Sequence, residues 1–212
     1  MKCLIVCGGE LPAEAVFKRH MSDSSLVIAA DSGAELFDSM DVYPHVLIGD
    51  FDSADLAVVK RFLDGGVKVI TLPIEKNETD TEAAVNYAIE NGASKIVILG
   101  ATGFRLDHTL ANISMLVRAA RAGIDCRIID SYNDITAVRG DYELKGRAGQ
   151  TISIIPLGGN IIVNADNLKY PLCDLKLCIG SSRGISNEII KSPVRLSVSG
   201  GFALVAKILS KP

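Results

Sequence analysis

Across roughly the first 130 residues, short runs of Val, Ile and Leu alternate with longer segments whose apolar residues recur every three or four positions. The runs fall at 2–7, 26–30, 45–48, 67–72, 95–99 and 125–129. Their continuous apolar character is that of strands buried on both faces. Between them, 79–91 carries the stripe Ala84, Val85, Ala88 and Ile89, and 105–122 carries Leu106, Leu110, Ile113, Val117 and Ala120. That spacing predicts helices. Thr79 and Glu82 match a capping box, while Gly92 and Gly123 are placed to stop the two helices. A third helix is predicted over 55–64, ending at Gly65 and Gly66. Lys18, Arg19 and His20, like Lys60 and Arg61, read as solvated helix faces. Strand, helix, strand repeated in this way predicts an α/β fold with a mostly parallel sheet and helices on both faces.

The texture then changes. Arg139, Gly140 and Asp141, and the stretch 145–149, read as loops, and no convincing helix follows. Short β runs are predicted at 134–138, 151–156, 160–165, 173–179, 188–191, 194–198 and 202–208. Strands broken by Gly, Pro and Asn predict a C-terminal antiparallel β-sandwich or barrel. Two domains are expected, 1–134 and 135–212.

Composition narrows the partners. A net charge of −3 offers no broad positive field for nucleic acid or an anionic membrane, so neither is expected as a partner. The apolar start is too short for a signal peptide, and no run approaches the roughly 20 residues that span a bilayer. A cytoplasmic protein is expected. The five cysteines (Cys3, Cys7, Cys126, Cys173 and Cys178) form no CxxC pair, and the three histidines are scattered. Buried, reduced thiols are the expectation, rather than a zinc site.

The acidic residues carry the functional signal. Asp31 follows one predicted strand, Asp50 and Asp52 follow the next, Asp80 opens a helix after another, and Asp107 follows the strand 95–99. In a parallel sheet these strand ends share one edge, where open α/β sheets bind ligands. Carboxylates about 4 Å apart repel by roughly 1 kcal/mol per pair in water and roughly 4 at an effective dielectric of 20. A hard divalent cation offsets that repulsion, and Mg2+ is held by one or two carboxylates plus substrate phosphates. Taken singly, each Asp is as well explained as a helix cap or turn former. Gly100, Ala101, Thr102 and Gly103 form a strand-to-helix turn able to offer backbone N–H groups to an anion. Lys76 and Arg105 are the cations placed to meet phosphate oxygens, although each also fits a solvated surface. Cys7, Gly8, Gly9 and Glu10 make either a tight turn or a close approach to a ligand.

Five stretches together resemble the thiamine pyrophosphokinase family: ADSGA (30–34), GDFDS (49–53), KNETDTEAA (76–84), GATGFRLDHTLAN (100–112) and GISNE (184–188). The resemblance implies an N-terminal catalytic domain, a C-terminal β domain that binds thiamine, and a homodimer with active sites between subunits. It implies transfer of a diphosphate from ATP to the hydroxyl of thiamine, with Mg2+ as cofactor and ATP as co-substrate. Asp50, Asp52 and Asp80 look like the metal and phosphate-chain residues. Asp31, Lys76, Thr102, Gly103 and Arg105 fall to the nucleotide, and Asp107, Ser186 and Asn187 to thiamine. Asp80 or Asp107 would accept or orient the hydroxyl proton, and sequence does not choose between them.

Two departures from the family pattern stand out. Phe104 stands where many relatives have a small or polar residue, and the chain has no tryptophan to stack on thiamine, so Tyr170 or Phe202 supplies the ring or apolar side chains replace it. Three rival readings remain. One is a magnesium-dependent phosphatase, from the DxD of Asp50 and Asp52. Another is a non-catalytic nucleotide- or thiamine-binding regulator. The third is a pyrophosphokinase for a related alcohol.

Overall fold

The computed structural model describes residues 1–52, 55–75 and 77–209, so Lys76 lies outside the described residues. The chain divides into two compact units, Met1–Ser131 and Tyr132–Pro212.

The first unit is built on β1 (Lys2–Val6), β2 (Leu26–Ala30), β3 (Val46–Gly49), β4 (Lys68–Thr71), β5 (Lys95–Leu99) and β6 (Asp125–Ile129). All their pairings are parallel, and the order is β6-β5-β1-β2-β3-β4. The inner strands are buried nearly end to end, whereas the edge strand β4 is half-exposed throughout. Five helices connect them: α1 (Glu14–Ser22), α2 (Ala34–Ser39), α3 (Leu56–Asp64), α4 (Asp80–Glu90) and α5 (Leu106–Arg121). From β1 to β4 the chain steps one way along the sheet, then returns to add β5 and β6 beyond β1. Right-handed crossovers therefore place α1 to α3 on one face and α4 and α5 on the other. Phe17 of α1 packs edge-on against Phe37 of α2 at 5.4 Å, and a salt bridge from Arg118 to Glu82 at 2.9 Å joins α5 to α4. The direction of winding reverses between β1 and β5, and the carboxyl ends beside such a reversal are where open α/β sheets bind ligands.

Several details differ from the sequence reading. Neither α1 nor α2 has a clear apolar stripe, since α1 buries only Phe17 and α2 spans six residues. Arg61 is half-exposed but not simply solvated. It bonds Asp38 and Asp41 and lies 5.4 Å over the ring of Tyr43. Of the cysteines, Cys3, Cys7 and Cys126 are buried, but Cys173 is exposed and Cys178 half-buried. Burial pushes the Cys7 thiol up to about 11, a value with almost no thiolate at neutral pH.

Among the described residues of the second unit the strand pairs are antiparallel, formed by β7 (Asn133–Leu144), β8 (Thr151–Leu157), β9 (Ile161–Ala165), β10 (Leu172–Leu177), β11 (Asn187–Glu188) and β12 (Val194–Ile208). Strand β12 pairs with β7 along its length and with two further strands in turn: Leu196 to Ser199 pair with β9, and Phe202 to Lys207 pair with β8. Its register against β7 shifts between Val198 and Ala203, around Gly200 at φ +83°. Gly140 of β7, opposite Val198, has φ +76°. The glycines read as breaks or loops are therefore bends, and β7 and β12 run through them as long, continuous strands. Ile152, Ile154, Val163, Leu177, Ile189, Val194 and their neighbours form the core.

Candidate active site

Three carboxylates converge at the carboxyl edge of the parallel sheet. Asp31 leaves β2 into a 3-10 turn with φ +46°, Asp50 follows β3, and Asp80 is the first residue of α4. One oxygen from each lies within 4.8 Å of the other two. Thr79 positions Asp80 by capping α4, its Oγ1 accepting from Glu82 N at 3.1 Å. The Glu82 carboxylate itself accepts from Arg118 Nη1 at 2.9 Å. Asp52 is exposed and is not one of the three; its N–H donates to Asp50 Oδ1 at 3.4 Å.

The group is electrostatically loaded. Burial raises the pKa of Asp31 most, and the charges of Asp80, Asp50 and Asp52 raise it further, against a lowering hydrogen bond from the Ser32 backbone. Asp31 Oδ1 is removed from solvent and receives no hydrogen bond among the described residues. A buried carboxylate oxygen without a donor is unfavourable by itself and is satisfied by a bound cation. Three oxygen donors and no nitrogen or sulfur fit a hard ion of the magnesium class.

The turn after β5 leads into α5, where Arg105 and Asp107 form a fork. Arg105 Nε donates to Asp107 Oδ1 at 3.0 Å and Nη2 to Oδ2 at 2.7 Å. This pairing holds the Asp107 carboxyl well below the usual carboxylate range. Both side chains are exposed, so the fork faces solvent. Phe104 is fully exposed and does not enter the turn, whose backbone is fixed from the other side. Thr102 Oγ1 donates to Asp130 Oδ2 at 3.2 Å, and Asn112 Nδ2 donates to Ala101 O at 2.8 Å. Sequence reasoning gave neither Asp130 nor Asn112 a role. Asp130 carried the signal of the other acids, a carboxylate just past a strand. Asn112 lay inside the resembling stretch, but a mid-helix Asn has no readable partner.

In the second unit, Ser186 is exposed with φ +59°, and its N–H donates to Ser153 Oγ at 3.1 Å. Asn187 is buried, and its amide is spent on Tyr170: Oδ1 accepts from Tyr170 N at 3.1 Å and Nδ2 donates to Tyr170 O at 2.7 Å. Of the two aromatics considered for stacking, Tyr170 is 62% exposed, whereas Phe202 is 8% exposed with Arg139 over its ring at 5.7 Å. Two open concavities contain none of the sequence-predicted site residues. One, of about 550 Å³, adjoins Tyr43 and Arg61, and the other, of about 670 Å³, lies among Asp141, Glu143, Asp166 and Arg195.

Residues 17–128 match the model of the thiamin pyrophosphokinase catalytic domain, and residues 141–202 match that of the thiamin pyrophosphokinase vitamin B1 binding domain. The chain belongs to the thiamine pyrophosphokinase family. A thiamine pyrophosphokinase of Bacillus subtilis is 30% identical over 206 residues, covering 96% of each chain. Thiamin pyrophosphokinase 1 of Caenorhabditis elegans is 32% identical over 171 residues, covering 76% of this chain and 68% of that one. Among solved structures, the Bacillus subtilis thiamine pyrophosphokinase superposes with a TM-score of 0.87 at 28% identity, over all of both chains. That of Geobacillus thermodenitrificans gives 0.85 at 30% identity, over 100% of this chain and 99% of the other. The phosphatase and regulator readings find no counterpart among these thiamine pyrophosphokinases.

Proposed function

We propose that this chain catalyses transfer of the diphosphate of ATP to the hydroxyl of thiamine. The thiamine oxygen forms a bond to the β-phosphorus, the bond from that phosphorus to the α,β-bridging oxygen breaks, and AMP leaves with the electron pair. The hydroxyl proton passes to a carboxylate or to water. The observation that carries this reading is the meeting of Asp31, Asp50 and Asp80, from three separate turns, in a chain of this family.

In this reading Asp31, Asp50 and Asp80 hold Mg2+, with Asp52 adding negative charge beside them. When bound, the ion neutralises charge on the phosphate chain. The remaining work is positioning by the protein. The turn containing Thr102 and Gly103 receives phosphate oxygens on its N–H groups, and Arg105, with Lys76, supplies cationic contacts. Asp107 is a weak proton acceptor while Arg105 holds it, so its role is to orient the substrate. Ser186 presents its hydroxyl to thiamine, and Asn187 holds Tyr170 as the aromatic platform for the thiamine rings. Phe202 is too buried for that role.

The proposal extends to organisation. Residues 1–134 act as the catalytic domain and 135–212 as the thiamine-binding domain of a cytoplasmic homodimer. The catalytic domain of one subunit faces the β domain of the other. The test is to mix protein, MgATP and thiamine and follow nucleotide products by chromatography. AMP and thiamine diphosphate in equal amounts support the reading. ADP with thiamine monophosphate, or no turnover, contradicts it.

A further inference from the structure

Four consecutive carbonyl oxygens, at the end of β5 and through the turn after it, are each taken by a donor from the protein. Cys7 N donates to Leu99 O at 2.9 Å, Gly9 N to Gly100 O at 2.9 Å and Glu10 N to Thr102 O at 2.7 Å. The remaining one, Ala101 O, is reached by a side chain, Asn112 Nδ2, at 2.8 Å. Asn112 projects from within α5 and is 7% exposed. The Thr102 hydroxyl is held in turn by Asp130, which is 8% exposed. A Cβ on Gly9 would strike the carbonyl oxygens of Gly100 and Thr102, so only glycine lets the two loops zip together.

The consequence follows from peptide geometry. In a trans peptide the C=O of one residue and the N–H of the next point in opposite directions. Holding the oxygens of Gly100, Ala101 and Thr102 against protein donors therefore aims the N–H groups of Ala101, Thr102 and Gly103 the other way. Among the described residues, none of these three N–H groups donates a backbone hydrogen bond. The turn's outer side carries donors without acceptors, the requirement for an anion.

We infer that Asn112, supported by Asp130, is a positioning residue for the phosphate chain, resting on the nucleotide reading of this site. It does not touch the ligand. It fixes the peptide between Ala101 and Thr102 so that the N–H, and not the carbonyl, faces the phosphate. An amide is the side chain suited to the position. It donates to a carbonyl without burying a charge, whereas Asp would set an acceptor against an acceptor and Leu would leave the peptide free to turn over. The phosphate would then meet a carbonyl oxygen.

The test compares the wild-type protein with Asn112→Leu and Asn112→Asp by calorimetry, using MgATP, magnesium tripolyphosphate and thiamine as separate ligands. Both variants should bind MgATP and tripolyphosphate roughly tenfold more weakly, as expected for one misaligned contact to a charged group. Thiamine affinity should stay unchanged. Tripolyphosphate has no base or sugar, so an equal loss places the effect at the phosphates. Unchanged MgATP affinity in folded variants, or an equal loss of thiamine affinity, overturns the inference. If neither variant folds, the wild type decides it by NMR. Magnesium tripolyphosphate should shift the amide signals of Thr102 and Gly103, and no shift overturns the inference. If the wild type makes no AMP from MgATP and thiamine while the variants still lose tripolyphosphate affinity, the function reading fails and this inference stands.

Discussion

Arg105 grips Asp107 at both carboxylate oxygens, 3.0 Å from Nε and 2.7 Å from Nη2, two residues apart at the mouth of α5. The fork fixes the side chain of each by the other and keeps Asp107 ionised under any physiological condition. In Arg105→Gln the Asp107 carboxyl should titrate near the ordinary value of about 4. In the wild type it should remain ionised well below that. Carbon-detected NMR of the Asp107 carboxyl checks this, and a wild-type midpoint near the ordinary value would contradict it. Arg105→Lys should not restore nucleotide affinity, because a lysine cannot form the two-point fork.

Asp50 should matter in opposite senses to stability and to turnover. Asp50→Asn removes one of three mutually repelling carboxylates, so the metal-free variant should melt at a higher temperature than the metal-free wild type. The stabilisation on adding MgCl2 should shrink in the variant. Its kcat should fall at least roughly tenfold, about 1.4 kcal/mol. Thermal melts with and without magnesium, alongside product formation, check all three. A variant that folds and turns over at the wild-type rate removes Asp50 from the account.

The pH dependence of stability should carry the mark of Asp31. Its pKa is raised on folding, so the folded state binds that proton more tightly than the unfolded chain does. Below the unfolded value, about 3.9, both states are protonated and the group contributes nothing. As pH rises from there through the raised folded value, a penalty grows and then stays. Asp31→Asn removes it, and Asn tolerates the positive φ of this position. The melting temperature of Asp31→Asn relative to wild type, both metal-free, should therefore rise with pH across that window and then level off. A flat or falling difference would contradict the assignment.

Tyr170 and Phe202 should separate cleanly. Tyr170→Ala removes an exposed ring and should raise the KM for thiamine with little change in melting temperature. Phe202→Ala removes a buried ring and should destabilise the fold by about 3–5 kcal/mol. Chemical denaturation and steady-state kinetics on both variants check this. Equal KM values for thiamine in wild type and Tyr170→Ala would exclude Tyr170 as the platform.

How far the sequence could be read depended on what each residue's neighbours were. The inner parallel strands were legible because their burial on both faces leaves unbroken apolar runs, as in Leu4, Ile5 and Val6, whereas the half-exposed edge strand β4 showed itself only by Val69 and Ile70. Helix α4 was legible by its stripe, but the stripe read in α5 is not its buried face: Leu106 and Leu110 are exposed, while Asn112, Leu116 and Ala119 are buried. By contrast, α1 and α2 rest largely on one aromatic each, Phe17 and Phe37, and a single contact has no period. Gly140 and Gly200 were read as breaks because a sequence does not show that two bends lie side by side on paired strands. The acids were legible as a strand-end group, but which three lie closest was not. That depends on the positive φ at Asp31 and on the turn that leaves Asp52 exposed. Asp130 was readable as one more acid past a strand, but its bond to Thr102, like that of Asn112 to Ala101, depends on how the turn folds back and was not.

The account's central claim is that Asp31, Asp50 and Asp80 together hold one divalent cation. Anomalous X-ray scattering from crystals grown with Mn2+ and a non-hydrolysable ATP analogue tests it most directly. A single strong peak within bonding distance, about 2.2 Å, of an oxygen from each of the three carboxylates is the predicted result. No peak at that rim, or one held by other side chains while these three carboxylates stay bare, would contradict it.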